Sequence, residues 1–213
     1  MHTINAFRIS ALGLVALSLA GTVGCFSASP QSRFYQLALS TSSNAPLAVA
    51  GAPIVVMGPV VIAPYLSKPQ VVTRLGANEV RYEETHRWSE PLRVGVPVMI
   101  YDLSQRLLSA GRIVPFPFDS VTDADLQVTV AVLRLDGDAK GNVQLDARWS
   151  IRDAKRKLVL AQQETRLQAK GANGSVVESV RVHGELLEQL TRTIMDEVQS
   201  VLNQRPAPAA SVK

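Results

Sequence analysis

The chain has 213 residues, 46% hydrophobic and 5% aromatic, with 22 Lys and Arg against 18 Asp and Glu. That length makes one ordinary domain, or at most two small ones, with a core of normal size. A net charge of +4 spread along the sequence gives no basis for nucleic-acid binding, and a single cysteine excludes a disulfide framework.

Before Cys25 there is no acid, and Arg8 is the one charged residue ahead of an apolar run from Ile9 to Ala20. A basic start, an apolar segment of about a dozen residues and the small-residue site Thr22-Val23-Gly24-Cys25 have the layout of a bacterial lipoprotein signal. The run is shorter than the roughly 20 residues that span a bilayer. Residues 1–24 are then a signal peptide, Cys25 is the acylated residue and 25–33 form a lipidated tether. An ordinary signal peptide with an unmodified cysteine is the plainer reading, but the only cysteine stands where a lipoprotein uses one. Thr22 occupies a position where such sites usually carry a larger apolar residue. Phe26 follows the cysteine in place of the aspartate that commonly retains lipoproteins in the inner membrane, which favours the outer membrane. From Phe26 to Arg33 the tether spans at most about 28 Å.

Phe34 to Leu39 alternates as a first strand, and the small, aperiodic stretch after it reads as a surface loop. Ile54 to Ile62 is an apolar, β-branched run suited to a strand covered on both faces, with a bulge or bend predicted at Gly58-Pro59. A proline-bounded turn follows over Pro64 to Pro69. Gln70 to Arg74 and Glu79 to Glu83 then form a hairpin through Leu75-Gly76-Ala77-Asn78. At Ser89, a suitable N-cap, the period changes: Leu92, Val96, Ile100, Leu103 and Leu107 make one helical stripe. Pro97 inside that stripe predicts a kink or a later start.

Arg112 to Phe118 can form a strand. Leu126 to Leu133 and Val143 to Arg152 then alternate apolar and polar residues, joined by Asp136 to Asn142. A turn at Asp153 to Lys157 leads to a third strand from Leu158 to about Leu167, which completes an antiparallel meander. Lys155-Arg156-Lys157 is the one tight basic cluster and reads as a solvated turn. Ser175 and Glu178 form a capping box for a last helix with the stripe Val176, Val180, His183, Leu187, Leu190, Ile194, Val198 and Val201. Residues 34–203 are thus the folded domain and 204–213 a disordered tail. The fold class is α/β: a single domain with a mixed, partly antiparallel sheet and two main helices packed on it.

No constellation for catalysis is found, and no cofactor or metal is expected. His86 and His183 are not at metal-ligand spacing, and His183 lies on an apolar stripe, where it reads as a packing residue. There is no Gly-x-Ser-x-Gly elbow and no phosphate loop.

A different signal lies in residues 58 to 92. Gly58-Pro59-Val60, Pro64-Tyr65-Leu66, Lys68-Pro69-Gln70-Val71-Val72-Thr73-Arg74, Asn78-Glu79 and Arg87-Trp88-Ser89-Glu90-Pro91-Leu92 follow in order, after Phe34-Tyr35-Gln36-Leu37. In this string the chain resembles the PqiC family, auxiliary lipoproteins of ABC-type and MCE-type lipid transport systems. Gly95 and Pro97 in the first helix and the alanine-rich loop after Leu39 depart from the family pattern. The resemblance implies a non-enzymatic lipoprotein, held in the outer membrane by its acyl chains and facing the periplasm. It would dock an MCE-domain protein with its inner-membrane partners and self-associate as a homo-oligomer. The rival reading is a carrier with a lipid or small-ligand pocket between helix and sheet. Tyr65, Leu66 and Trp88 are either packing residues or partner anchors, and Arg74, Glu79, Arg87 and Glu90 pair either within the domain or across a subunit boundary.

Overall fold

The computed structural model describes residues 30–39, 46–49, 51–117 and 123–204. Cys25, Phe26, the signal peptide, most of the tether and residues 205–213 lie outside the described residues. Ser32–Lys213 belong to one compact unit, distinct from Met1–Gln31.

Eight strands form one sheet: β1 (Arg33–Tyr35), β2 (Ile54–Ile62), β3 (Gln70–Arg74), β4 (Val80–Trp88), β5 (Arg112–Pro115), β6 (Leu126–Asp138), β7 (Asn142–Asp153) and β8 (Val159–Lys170). Two α-helices, α1 (Leu92–Leu107) and α2 (Val176–Gln204), complete the α/β domain. The sheet is organised around β6. On one side β7 pairs with it antiparallel, with β8 beyond. On the other side two strands share its length. β2 runs parallel to it from Val55↔Leu126 to Ile62↔Val132, and β3 joins it at Thr73↔Gly137 and Arg74↔Asp138. β5 flanks β2, β4 flanks β3, and β1 lies parallel on β4.

The expected alternation holds where it was clearest. Leu126, Val128, Val130 and Val132 of β6, with Val143, Leu145, Ala147, Trp149 and Ile151 of β7, are no more than 1% exposed. Both helices share one apolar core with this face. The opposite, helix-free face carries Gln127, Thr129, Gln144, Asp146, Arg148 and Ser150, as period-2 geometry requires.

Several boundaries differ from expectation. β1 ends at Tyr35 because β4, its partner, ends at Trp88, where the chain turns towards α1. The following residues pass α2 instead: a Cβ added at Gly184 would lie 2.9 Å from the Ala38 carbonyl oxygen. The bulge predicted at Gly58-Pro59 is present as a register shift between Met57 and Val60. β4 continues five residues past Glu83, to Trp88, and β5 stops at Pro115. α1 is capped by Pro91, whose carbonyl accepts from Val94 and Gly95, and not by Ser89. It starts at Leu92 and runs through Pro97 without interruption, and its whole predicted stripe is buried. At α2 the Glu178 amide donates to Ser175 Oγ at 3.3 Å, as the capping box predicts, but the Glu178 carboxylate accepts from the Ala172 amide rather than from Ser175. Asp136, expected in a connection, belongs to β6, which continues to Asp138.

Candidate functional site

Two residues of the motif string, Tyr65 and Arg74, meet where β2 leaves β6 and β3 arrives. The Ala63 amide still donates to the Val132 carbonyl, but Pro64–Ser67 then form a 3-10 turn, so no strand covers the β6 edge between Val132 and Gly137. The turn sends Leu66 into the core, 2% exposed, and leaves Tyr65 half-buried on the uncovered edge. Tyr65 acts as a substitute strand. Its hydroxyl accepts from the Leu135 amide at 3.4 Å and donates to Asp136 Oδ2 at 2.8 Å.

A bulge in β6 brings Asp136 to this place. Pairing shifts between Val132 and Arg134, so Leu133 and Arg134 together face Asp146. Leu135 then returns to the core, while Arg134 and Asp136 point to the helix-free face. There the Asp136 side chain is fully buried beneath its partners. Arg74, at the end of β3, donates from Nε to Oδ1 at 3.0 Å and from Nη2 to Oδ2 at 2.8 Å. Arg134 Nε donates to Oδ1 at 2.9 Å, and its Nη1 reaches Gln144 Oε1 at 3.0 Å. The Arg74 guanidinium also lies 5.9 Å from the centre of the Tyr65 ring.

Burial alone would raise the Asp136 pKa, but the hydrogen bonds from Arg74, Tyr65 and Arg134 outweigh it and hold the carboxyl below its usual range. The bond to Asp136 keeps Arg74 charged, and burial followed by the Asp136 contact pushes the Tyr65 hydroxyl well above its ordinary value. All three groups therefore keep one ionisation state across the neutral range. The arrangement can fix a structure or present charge, but it holds no proton poised for transfer.

Outward from this cluster the network continues across the sheet. Gln144 Nε2 donates to Asp146, Arg166 Nε donates to Asp146 Oδ1 at 3.1 Å, and Arg148 pairs with Glu164. Tyr65, Arg74, Leu133, Arg134 and Arg166 line an open hollow of about 500 Å³ here. Among the described residues no group of three or more His, Cys, Asp or Glu side chains is placed to hold a metal.

The other motif residues lie elsewhere. Trp88, 5% exposed, meets the ring of His183 edge-on at 5.8 Å and thus braces the end of β4 against α2. Arg87 bonds within its own strand, to the Glu84 carbonyl and carboxylate. Glu79 is exposed at the hairpin end, where its carbonyl accepts from Leu75 and Gly76. Glu90 folds against the first turn of α1: a Cβ at Gly95 would lie 3.2 Å from its Oε1, so that glycine makes room for it. Tyr35, from the aromatic pair, stacks on His86 and bonds its Nδ1 at 2.6 Å. Of the charged motif residues, Arg74 alone enters the cluster. The sequence pattern hides Arg134 and Asp136 because its alternation breaks at the bulge; their signal is an acid two residues after an arginine just past the alternating run.

The sequence profile of the ABC-type transport auxiliary lipoprotein component matches residues 35–195. The chain belongs to this family. The expected resemblance is thereby established, and the family is not an enzyme class. Among solved structures, that of an uncharacterized protein superposes with a TM-score of 0.66 at 17% identity, covering 79% of this chain and 99% of that one. A Xanthomonas campestris protein of the DUF330 family gives 0.66 at 12% identity, covering 79% and 95%. These likenesses concern the fold. No curated protein matches the chain. Membership of a lipoprotein family fits a lipid-anchored envelope protein. Among the described residues no helix is long and apolar enough to cross a membrane.

Proposed function

We propose that the protein is an outer-membrane lipoprotein, acylated at Cys25 and sorted by Phe26, that faces the periplasm and docks an MCE-domain protein and its inner-membrane partners. It acts without catalysis and supports envelope lipid homeostasis. Family membership supports association with a transporter. The observation that favours docking over carriage is the filled interval between helices and sheet. Val130, Leu145, Trp149, Leu187, Leu190 and Ile194 occupy it with no more than 1% exposure, where a carrier needs space for an acyl chain. The hollow beside Tyr65 is open and charged, which suits a protein surface better than a lipid tail. Self-association into a collar belongs to the same reading, since among the described strands β8 pairs with β7 alone and offers its outer edge.

The test uses the full-length acylated protein and the purified MCE-domain protein of the same system. Co-elution, with no phospholipid retained by the lipoprotein, is expected. Stoichiometric phospholipid without MCE binding would replace docking by carriage. Cys25→Ala should abolish fatty-acid labelling, and persistent labelling would remove the anchor.

A further inference from the structure

The β7–β8 turn departs from a plain solvated turn. The Asp153 carboxylate accepts the amides of Lys155 at 3.0 Å and Arg156 at 2.8 Å, and its carbonyl accepts the Lys157 amide at 2.8 Å. Asp153, 7% exposed, is thereby held beneath the turn while the three cations project from it. Leu158, Val159 and Leu160 follow directly, 57%, 51% and 42% exposed. Six consecutive residues, three basic and then three aliphatic, thus stand in solvent at one end of the sheet, with exposed Arg152 across from Val159. Lys155 Nζ lies 3.8 Å from Asp125 Oδ1 on the adjoining connection.

We propose that this turn is a second membrane contact, in which Lys155, Arg156 and Lys157 bind anionic phospholipid headgroups while Leu158 and Leu160 enter the interfacial layer. The inference rests on the reading of Cys25 as the lipid anchor. Basic side chains beside exposed aliphatic ones match a surface that is anionic outside and apolar beneath. A single anchor lets the domain rotate freely, whereas a second contact fixes which end meets the membrane.

Leu158→Cys supplies the only free thiol of the acylated full-length chain, to be labelled with an environment-sensitive fluorophore. The protein is reconstituted on vesicles of phosphatidylethanolamine alone, or of three parts phosphatidylethanolamine to one part phosphatidylglycerol. Flotation reads the anchor and emission reads the turn. A blue shift on the anionic vesicles is expected, lost at about 0.5 M salt, where screening shortens to a few Å, and lost in the Lys155→Glu, Arg156→Glu, Lys157→Glu triple variant, with flotation unchanged throughout. Flotation without a blue shift overturns the second contact and leaves the anchor standing. Failure to float overturns both. A blue shift that requires added MCE-domain protein assigns the turn to that partner and overturns the lipid contact.

Discussion

Asp136 decides the geometry of its surroundings because a fully buried carboxylate is stable only when its oxygens are bonded. Arg74, Arg134 and Tyr65 come from three separate stretches of chain, so their shared partner ties the β2–β3 excursion to the middle of the sheet. Asp136→Asn keeps the shape, removes the charge and leaves two part-buried guanidinium groups without their counter-ion. The expected loss is about 2–3 kcal/mol by urea titration, at the low end for a buried pair because both arginines keep some solvent access. Tyr65→Phe deletes one donor to Asp136 and the acceptor for the Leu135 amide, for about 1–2 kcal/mol. If Asp136→Asn is neutral while Tyr65→Phe is not, the carboxylate is not what holds the excursion in place.

The elements were legible in the sequence wherever one period ran uninterrupted, as in β7 and α2, whose apolar positions alone name the buried face. Legibility failed where a device breaks the period. The bulge at Leu133 and Arg134 turned the end of β6 into an apparent loop, and with it went the carboxylate that Arg74 and Tyr65 bind. The motif string marked both of those residues without revealing whether they serve packing or a partner; the unseen Asp136 was the missing fact. Strand ends depend on partners distant in sequence: β1 stops four residues short of the expected Leu39 because β4, its partner, ends at Trp88. The residues released there, 36–39, approach α2 closely at Gly184. Gly184→Ala places a methyl group 2.9 Å from the Ala38 oxygen, which must withdraw. Alanine gains about 1 kcal/mol of helix propensity over glycine, against about 1–3 kcal/mol for the intrusion. Amide exchange should therefore accelerate across residues 36–39 while α2 keeps its protection. Unchanged exchange there would mean that the segment does not depend on this approach.

At the scale of the whole molecule, two buried groups set how stability responds to acid. His183, 1% exposed, is surrounded by Trp88, the Ser179 and Leu135 backbone and nearby Asp136. Burial lowers its pKa despite the backbone bonds and the Asp136 charge, which act the other way. The unfolded chain takes up this proton near pH 6.5 and the folded one does so only at lower pH, so stability is full above that point and declines below it. Asp136 contributes in the same direction but later. Its folded pKa lies below the unfolded value of about 3.9, so its contribution is present above that value and is lost as pH falls through the folded one. The unfolding free energy should accordingly fall in two stages, each with a slope of up to about 1.4 kcal/mol per pH unit. His183→Gln should be less stable at every pH, because it loses the contact with Trp88, yet its profile should be flat from pH 7 to 5 while the decline below about 4 remains. Asp136→Asn should show the reverse, keeping the first stage and losing part of the second. A wild-type profile that stays level from pH 7 to 5 would show that His183 binds its proton as readily in the folded chain as in the unfolded one.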